Sequence, residues 1–474
     1  MVTKGTILEL ETDSAAFEGH SVARSNGLVV FVRNAVPGDR VRARIVKSRK
    51  KYAEAVVEEL LESSPYRVDP RCKYFGVCGG CKWQHMEYEQ QLLFKQRQVS
   101  EILEHIGGFD SVSVEPTLPA PHIYDYRSKM EFSFGTNRWL TAAEIASGDE
   151  LEKGFALGLH IPKRYDKILD LDECHLQSSL SVKIVNKVRE VAMAEGWRAY
   201  NSNTREGYLR NLVIRTGFFT AESMIYLVTL HNRPDRMKQL TEAILGEIPE
   251  VTTVINAIND TLSPVAYGSE EIVYHGPGTI RERIGDLEFC ISPTTFFQPN
   301  SSQAFHLFQV VREYAQLSGR EVVYDLYSGI GTIALLLAPD CRKVVGIDSH
   351  EQAVEGARAN AAANGIENCS FFSLDAAKSL TRNFALRRGR PEVLVVDPPR
   401  VGMHKDVCHS ILMMAPERIV YVSCNPATQA RDLTVLGSSY EVEKVQPVDM
   451  FPQTYHIENV VALKRRSHVR PASL

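Results

Sequence analysis

Four short apolar runs in the last third of the chain constrain its fold more than any other feature. Each run is rich in Val, Leu or Ile, and they cover residues 322–326, 344–348, 393–397 and 418–422. Stretches with helix-forming composition separate the first three runs. Short buried strands that alternate with helices predict a parallel, doubly wound α/β sheet. Ligands bind such sheets at the carboxyl ends of the strands, so residues just after each run are candidate site residues.

The first run leads into a turn with two glycines, Asp325-Leu326-Tyr327-Ser328-Gly329-Ile330-Gly331-Thr332. Glycines let the backbone turn sharply and approach a ligand closely. The second run ends at Asp348, 23 residues after Asp325, where a carboxylate can accept hydrogen bonds from ribose hydroxyls. The third glycine of a dinucleotide fingerprint is missing. An acidic residue before the glycines suits a cofactor with an amino-acid ammonium group, and a plain strand-to-helix turn is the alternative.

Four candidate reactive side chains follow later strands or lie near the C-terminus. Asp397 opens the turn Asp-Pro-Pro-Arg, whose prolines fix the direction of the carboxylate. Cys424 lies just past the fourth run, where a nucleophile is expected, whereas a structural thiol lies more often mid-strand. His456 and Glu458 share a face if their segment is a strand. A capping aspartate in a rigid turn and a surface pair are the alternatives for these residues.

The first 62 residues contain short strand-forming runs and turn signals, which predict a small all-β barrel. Seven Arg and Lys residues lie between Arg40 and Lys51, and Arg42 and Arg44 are expected on one strand face. This face is a candidate phosphate-binding surface, and a solvated strand face is the alternative.

Three cysteines form a second notable cluster, Cys72, Cys78 and Cys81, within a glycine-rich loop. Three close thiolates that bind a metal need a fourth ligand, and Cys174 is the candidate. Zinc is the default metal for four thiolates in a reducing cell. The spacing alone does not separate zinc from an iron–sulfur cluster, and unligated thiols in a flexible loop are the alternative.

The remaining sequence bounds the class of protein. A chain of 474 residues is expected to form two or three domains, with a mixed α+β segment in the middle and a surface insertion from Thr141 to Lys153. A formal net charge of -4 means that a nucleic-acid surface must be a local patch. The N-terminus has no apolar signal core and no run is long enough to span a bilayer, so a cytoplasmic protein without membrane contact is expected.

Two resemblances extend this interpretation. The stretch from Glu18-Gly19-His20 through Tyr52-Ala53-Glu54 resembles a TRAM domain, a small RNA-binding β-barrel. The run 325–332, with Asp348 and Asp375, resembles the S-adenosyl-L-methionine site of class I methyltransferases. Taken together, Asp-Pro-Pro-Arg, Ser-Cys-Asn-Pro at 423–426, His-Ile-Glu at 456–458 and Ser-Pro-Thr-Thr-Phe-Phe-Gln-Pro-Asn at 292–300 resemble the uracil-C5 RNA methyltransferases over nearly the whole chain.

That resemblance implies a Rossmann-like class I methyltransferase domain at 291–474, a TRAM barrel at 1–62 and a central α+β domain at 63–290. It implies Cys424 as nucleophile on uracil C6, Glu458 as the base that removes the C5 proton, and Asp397 as a contact to the uracil edge. Cofactor contacts are implied for Gln298, Asp325, Tyr327, Gly329, Gly331, Asp348, Asp375 and Asp397. Metal ligands for a [4Fe–4S] cluster are implied at Cys72, Cys78, Cys81 and Cys174, with zinc as the alternative.

The barrel and the cysteine cluster are typical of family members that act on 23S rRNA, so rRNA is expected before tRNA, and a monomer is expected. Three other activities compete. An amino-group methyltransferase would carry an aromatic residue where Arg400 stands and needs no Cys424. A radical S-adenosyl-L-methionine enzyme would carry a C-x3-C-x2-C motif, which is absent. A non-catalytic RNA-binding protein would not need the complete catalytic set.

Overall fold

The computed structural model describes residues 2–110, 112–148 and 150–467. The chain forms two compact units, each built from separate stretches. The first unit comprises Met1–Pro70, Lys82–Pro121 and Gln303–Leu474, and the second comprises Arg71–Cys81 and His122–Ser302. No helix in the described part of the chain is both long and apolar enough to cross a lipid bilayer.

The first unit begins with the predicted barrel. Its five strands are β1 (Ile7–Ala15), β2 (Ser21–Ser25), β3 (Leu28–Arg33), β4 (Arg40–Ser48) and β5 (Tyr52–Glu62). They close in the order β1-β2-β3-β5-β4, and small or branched side chains such as Ala23, Val30, Val41, Ala43 and Ile45 fill the interior. Closure removes the unpaired strand edges. The helix α1 (Tyr88–His105) follows the barrel in the same unit.

The arginine face of this barrel differs from the expectation. Each basic side chain of β4 pairs with a glutamate of the neighbouring strand β5: Arg40 with Glu62, Arg42 with Glu59, Arg44 with Glu58 and Lys47 with Glu54. The two strands are antiparallel neighbours, so their side chains meet across the ladder. The pairs offset the positive charge of this face, and the interpretation of Arg42 and Arg44 as a phosphate-binding face stays a prediction.

An eight-stranded sheet forms the core of the second unit. Its strands are β6 (Lys129–Gly135), β7 (Arg138–Trp139), β8 (Ala156–Ile161), β9 (Arg164–Asp170), β10 (Leu209–Thr216), β11 (Ser223–Thr229), β12 (Thr253–Ile258) and β13 (Glu270–His275). Their order is β13-β12-β11-β10-β6-β8-β9-β7. The helices of this unit are α2 (Ala142–Ser147), α3 (Ser179–Ala194) and α4 (Pro234–Glu247), and a separate hairpin consists of β14 (Ile280–Ile284) and β15 (Leu287–Ile291). Helix α2 buries none of its residues, which agrees with a surface insertion.

The doubly wound sheet lies in the first unit. Its strands are β16 (Val322–Leu326), β17 (Lys343–Asp348), β18 (Cys369–Ser373), β19 (Val393–Val396), β20 (Arg418–Ser423), β21 (Tyr440–Val448) and β22 (Glu458–Arg465). The helices between and before them are α5 (Ser301–Ala315), α6 (Thr332–Leu337), α7 (Glu351–Ala363), α8 (Ala376–Ser379), α9 (Arg382–Arg388), α10 (Lys405–Met414) and α11 (Pro426–Leu436). The strand order is β18-β17-β16-β19-β20-β22-β21. The first five strands are parallel, β22 is antiparallel to β20, and β21 is antiparallel to β22.

This order fixes where a site can form. The chain moves outward from β16 to β17 and β18, and then returns to place β19 on the other side of β16. A crevice opens outside the carboxyl ends of the strands at such a reversal. Asp325, Asp397 and Cys424 all lie at this edge, since they end or directly follow β16, β19 and β20.

Candidate active site

The turn after β16 has a backbone conformation suited to ligand binding. Tyr327 adopts a positive φ of 64°, and its N–H donates to the carbonyl of Ile347, 2.8 Å away, on the neighbouring strand. Gly331, with φ of 85°, immediately precedes α6, and a Cβ there would lie 3.0 Å from the Phe371 ring. Glycine is therefore required at 331 by both conformation and space.

The carboxylate of Asp325 is almost completely buried, with 1% of the residue exposed. Its Oδ2 accepts a hydrogen bond from the N–H of Ala334 at 3.1 Å. Its Oδ1 is buried and receives no hydrogen bond from the described residues. Burial raises the pKa of this carboxyl well above its usual range, and the nearby Asp397 and Asp348 raise it further. A buried acceptor without a donor fits a ligand that brings an ammonium group to this position.

Two further predicted carboxylates lie after β17 and β18. Asp348 accepts hydrogen bonds from the N–H groups of Gly329 and His350, both at 2.9 Å, so it connects the glycine turn to the second strand. Asp375 caps α8 by accepting from Ala377 N–H at 2.9 Å. Burial, followed by the charges of Cys408, Asp432, Asp375 and Asp348, raises the pKa of the Tyr327 hydroxyl to about 12. The structure thus brings together the predicted cofactor residues of the first unit.

Gln298 belongs to the second unit. It lies in the loop between β15 and α5 and is 9% exposed. The same loop is held to β10 by Arg215, whose Nε donates to the carbonyl of Pro293 at 3.1 Å.

The two segments that carry Asp397 and Cys424 are joined by hydrogen bonds. Asn425 Nδ2 donates to the carbonyl of Arg400 at 3.0 Å, and the hydroxyl of Thr428 donates to the same carbonyl at 3.3 Å. The cysteine segment therefore fixes the far end of the Asp-Pro-Pro-Arg turn. Burial raises the pKa of Asp397 from its ordinary value of 3.8 to about 7.

Cys424 is half-buried at the end of β20 and has an acidic environment. Burial raises the pKa of its thiol to about 12, with further increases from the carboxyls of Glu458 and Asp397, while the Arg400 guanidinium lowers it. Cys424 therefore lies within electrostatic reach of Glu458, Asp397 and Arg400. A thiol with a raised pKa carries little thiolate at neutral pH, so its neighbours must change before it becomes a nucleophile.

Glu458 reaches this point because of strand pairing. It is the first residue of β22, and the next residue, Asn459, lies opposite Ser423 in the antiparallel pair β20–β22. Glu458 is 5% exposed. Burial, followed by the charge of Asp397, raises the pKa of Glu458 well above its usual range, and Arg400 opposes this shift.

His456 does not share a strand face with Glu458, as the sequence pattern suggested, because β22 begins only at Glu458. The segment before it is a turn in which the His456 ring packs 4.2 Å from the Tyr455 ring and 6.1 Å from the Phe451 ring, centroid to centroid. The imidazole is therefore part of an aromatic cluster.

Sequence reasoning missed Asp432, which lies on α11 and is 2% exposed. One carboxylate oxygen accepts from the Tyr421 hydroxyl at 2.7 Å and from the Met403 N–H at 2.8 Å. It therefore joins β20 to the segment that follows the Asp-Pro-Pro-Arg turn. No motif identifies an aspartate in the middle of a helix as a support of this kind, and only the fold reveals it.

The cysteine cluster lies in the second unit. Burial raises the pKa of Cys72 to about 11, and the thiols of Cys78 and Cys174 are close enough to raise it further. Gly79 allows the loop to approach the β8–β9 turn, since a Cβ there would lie 2.3 Å from Pro162. The donor chemistry is that of a thiolate-bound metal. Within residues 2–110, 112–148 and 150–467, however, no three His, Cys, Asp or Glu side chains are arranged to hold a metal ion.

Comparisons with known proteins agree with this geometry. Residues 283–466 match the tRNA (uracil-5-)-methyltransferase family model, and residues 2–57 match the TRAM domain model. An "uncharacterized RNA methyltransferase" of Bacteroides thetaiotaomicron is 43% identical over 95% of this chain and its own full length. A similarly described protein of Chlorobaculum tepidum is 42% identical over 98% of this chain and 97% of its own.

A solved structure extends the similarity to three dimensions. The tRNA (uracil-54, C5)-methyltransferase of Pyrococcus abyssi, in complex with S-adenosyl-L-homocysteine, is 30% identical and has a TM-score of 0.74, covering 96% of this chain and 99% of that one. The barrel and the Rossmann-like sheet are therefore those of a known enzyme class. The chain belongs to the S-adenosyl-L-methionine-dependent RNA (uracil-5-)-methyltransferase family.

Proposed function

We propose that this chain methylates C5 of a uridine in RNA through a covalent bond between Cys424 Sγ and C6 of the uracil. The observation that supports the proposal is that the charges of Glu458, Asp397 and Arg400 act on the pKa of Cys424, and those of Asp397 and Arg400 act on the pKa of Glu458. S-adenosyl-L-methionine supplies the methyl group. The buried, donor-free oxygen of Asp325 suits its ammonium group.

The remaining cofactor contacts follow the predicted residues. Asp348 would accept from the ribose hydroxyls, and Gly329 and Gly331 would let the backbone lie against the cofactor. We assign further contacts to Gln298, Tyr327, Asp375 and Asp397. The carboxylates of Asp348 and Asp375 are already engaged in local hydrogen bonds, which hold them in fixed directions.

The chemistry requires a nucleophile, because C5 of uracil does not attack a methyl sulfonium unaided. Addition of the Cys424 thiolate to C6 forms an S–C bond and turns the ring into an enolate with electron density at C5. C5 then takes the methyl group. Glu458 removes the C5 proton, and the C5–H electron pair forms the C5–C6 double bond. The S–C6 bond breaks, and its own electron pair leaves with sulfur as the thiolate.

The carboxyls also explain how the thiol is activated. The thiol pKa of about 12 describes the protein without RNA. The carboxylate of Asp397 can accept the thiol proton when the uracil arrives and water leaves, so that Glu458 stays unprotonated for the later step at C5. Asp397, with its pKa of about 7, can be protonated or charged near neutral pH and can hydrogen-bond the uracil edge in either form. The target base must be unpaired or flipped to reach this position.

Methyl transfer to RNA by Cys424→Ala tests the nucleophile. We expect the rate of 5-methyluridine formation to fall by at least about a thousandfold, as for loss of other covalent nucleophiles. Cys290→Ala is the control, because Cys290 lies on the hairpin strand β15 of the second unit. Normal 5-methyluridine formation by Cys424→Ala would refute the covalent route.

For the RNA, we propose 23S rRNA first and tRNA second. The cysteine cluster favours rRNA by resemblance. The Pyrococcus abyssi protein favours tRNA, and because it aligns with 96% of this chain, the N-terminal barrel does not separate the two substrates. Mapping 5-methyluridine in rRNA and tRNA from a deletion strain decides between them: a site lost from 23S rRNA supports the first substrate, and a site lost from tRNA supports the second.

We further propose that Cys72, Cys78, Cys81 and Cys174 bind a [4Fe–4S] cluster, with zinc as the alternative. The proximity of Cys72, Cys78 and Cys174 supports this proposal. Iron, sulfide and zinc analysis of anaerobically purified protein tests it: about four irons and four sulfides per chain are expected for this cluster type. Zinc without iron would select the alternative. The division into an RNA-binding barrel (1–62), a central segment (63–290) and a methyltransferase segment (291–474) remains part of the proposal.

A further inference from the structure

A basic cavity of about 250 Å³ lies in the second unit, away from the cysteine loop in sequence. Three separate stretches of chain line it: the turn after α3, the two residues before β10, and the loop after β11 together with the first turn of α4. Four of its lining residues carry positive or titratable basic groups, and none is acidic: Arg198, His231, Arg233 and Arg236. None of the three arginines forms an ion pair with a carboxylate in the part of the chain that the structure describes. The charge is therefore available to a ligand.

Backbone hydrogen bonds hold these stretches in place. The carbonyl of Arg198 accepts from the N–H of Tyr208 at 2.9 Å, and the carbonyl of Tyr208 accepts from the N–H of Leu230 at 2.9 Å. The Thr229 hydroxyl donates to the carbonyl of His231 at 3.0 Å. The basic side chains thus project from a backbone that is already ordered, which lowers the entropy cost of binding.

Arg236 is held by aromatic rings. Its guanidinium lies 4.9 Å from the centroid of the Tyr208 ring and 5.5 Å from that of Trp197. The two rings pack edge to face, with centroids 5.8 Å apart. Cation–π contacts fix the position of a guanidinium without neutralising its charge. Arg236 is half-buried, whereas Arg198 and Arg233 are exposed.

Acidic residues line an adjoining cavity and not the basic one. A second cavity of about 440 Å³ shares Arg198 with the basic one and includes Glu152 and Glu206. Neither glutamate forms an ion pair with the three arginines among the described residues. The lining of the basic cavity, which includes Arg233 and Arg236, therefore contains no carboxylate.

We propose that this basic cavity, Arg198–His231–Arg233–Arg236, binds a phosphodiester of the RNA backbone. Planar guanidiniums match the two free oxygens of a phosphate, and several of them converging on one cavity favour an anion. RNA is the polyanion that an RNA methyltransferase must hold, so the RNA backbone is the source of phosphate. The inference rests on RNA as the substrate and is independent of the chemistry at Cys424.

The test compares two doubly neutralised proteins. Arg198→Gln/Arg233→Gln removes two exposed charges of the cavity and leaves the packed Arg236 in place. Lys183→Gln/Lys238→Gln removes two exposed charges from α3 and α4 that do not line the cavity. Binding of a fluorescein-labelled RNA stem-loop with an unpaired uridine is measured by anisotropy over a series of KCl concentrations.

We expect the cavity variant to raise the Kd about tenfold, and the slope of log Kd against log salt to fall by roughly one for each phosphate that the protein no longer binds. The control variant should keep the Kd and the salt slope near the wild-type values. In the cavity variant and the control variant, kcat at saturating RNA should be unchanged. Equal Kd and equal slopes in the two variants would overturn the proposal. A second result would also overturn the proposal: inorganic phosphate stabilises the wild-type protein, but the cavity variant binds RNA as tightly as the wild type. The cavity would then be a site for free phosphate.

The same binding assay in a Cys424→Ala background separates this inference from the proposed mechanism. That substitution should abolish methyl transfer and leave the RNA affinity intact. The cavity variant should lose affinity in either background. Failure of the covalent mechanism and failure of the docking site therefore give different results.

Discussion

The thiol of Cys424 lies beside two carboxyls whose pKa values are raised, and this arrangement determines its reactivity. Negative charge on Glu458 or Asp397 disfavours the thiolate, so both raise the thiol pKa. Burial disfavours the charged form of each carboxyl and so raises the pKa of Asp397 and of Glu458. A protein without RNA therefore keeps the nucleophile largely protonated, which protects it from oxidation and alkylation.

Alkylation of Cys424 by iodoacetamide provides a test with a defined sign. Because the thiol pKa is about 12, the wild-type rate should rise continuously from pH 6 to pH 9 without a plateau. Glu458→Gln removes a negative charge, lowers the thiol pKa and should raise the rate severalfold at pH 8. Peptide mass spectrometry measures the modification of this one cysteine.

The matched control is Glu441→Gln, a change of the same type at an exposed residue of β21. It should leave the alkylation rate unchanged. A Glu458→Gln protein that reacts more slowly than wild type would contradict the electrostatic account.

At this scale, the sequence predicted which residues are reactive but not how they are supported. Cys424, Asp397 and Glu458 were recognisable because each lies in a short motif, and the structure brings the three together. Asp432 was not recognisable, because its role comes from tertiary contacts to Tyr421 and Met403. The orientation of His456 depends on where β22 begins. Hydrogen-bonded pairing with a neighbouring strand sets this boundary, and the local sequence pattern does not reveal that pairing.

The elements around the site are held by a buried brace between α1 and the segment before β22. Lys95 Nζ donates to Asp449 Oδ1 at 2.6 Å, and both side chains are fully buried. Lys95 also donates to the carbonyl of Phe451 at 3.2 Å. Gln91 and Gln453 exchange two hydrogen bonds one turn earlier on the helix, at 3.1 and 2.9 Å. These contacts fix the chain that leads to Glu458.

Lys95→Met should destabilise the protein strongly, because it leaves the Asp449 carboxylate buried without its counter-ion. Loss of one partner of a buried pair costs about 3–5 kcal/mol. Thermal or urea unfolding followed by circular dichroism measures the loss, which should appear as a markedly lower midpoint. Arg97→Met on the exposed face of α1 is the control and should change the midpoint little.

A midpoint for Lys95→Met equal to that of Arg97→Met would show that the brace does not contribute to stability. If Lys95→Met folds, its kcat should fall more than its affinity for RNA, because the contact positions Glu458 and does not bind RNA.

Most elements of the doubly wound sheet were predictable, since β16, β17, β19 and β20 consist of apolar runs with both faces covered. Strand β18, Cys369-Ser370-Phe371-Phe372-Ser373, was not predicted, because an edge strand with polar residues has no such run. Strand β21 alternates polar and apolar residues weakly and was missed for a similar reason.

For the whole molecule, the distribution of charge decides where RNA can bind. The net charge is -4, and the β4 face of the barrel is balanced by glutamates of β5. The turn between these strands differs. Arg49, Lys50 and Lys51 are exposed there, and none forms an ion pair with a carboxylate in the described ranges. This β4–β5 tip is a part of the barrel whose positive charge is available to RNA.

Neutralising the tip should therefore weaken RNA binding more than neutralising the face. We expect Arg49→Gln/Lys50→Gln to raise the Kd several-fold and to lower the salt dependence, since phosphate contacts release counter-ions. Arg42→Gln/Arg44→Gln should raise the Kd less, because these arginines already have glutamate partners. Filter binding of the same RNA measures both; a larger loss for the face variant would contradict this assignment.

The division of the chain into two units was not predictable from local sequence. Residues 82–121 join the first unit through contacts with residues more than 300 positions away, such as the hydrogen bond from Lys82 N–H to the carbonyl of Gln453 at 3.0 Å. The barrel and the Rossmann-like sheet were predictable, since each follows from strand patterns within a continuous stretch.

Covalent trapping of RNA on the Glu458→Gln protein tests the central claim most directly. The protein is incubated with substrate RNA and S-adenosyl-L-methionine, denatured, and analysed by gel and by mass spectrometry of the digested adduct. We expect an adduct that joins Cys424 to a methylated uridine, because the C5 proton is no longer removed. The double variant Cys424→Ala/Glu458→Gln should form no adduct. Normal methylation of RNA by Cys424→Ala, or an adduct at a different residue, would contradict the mechanism.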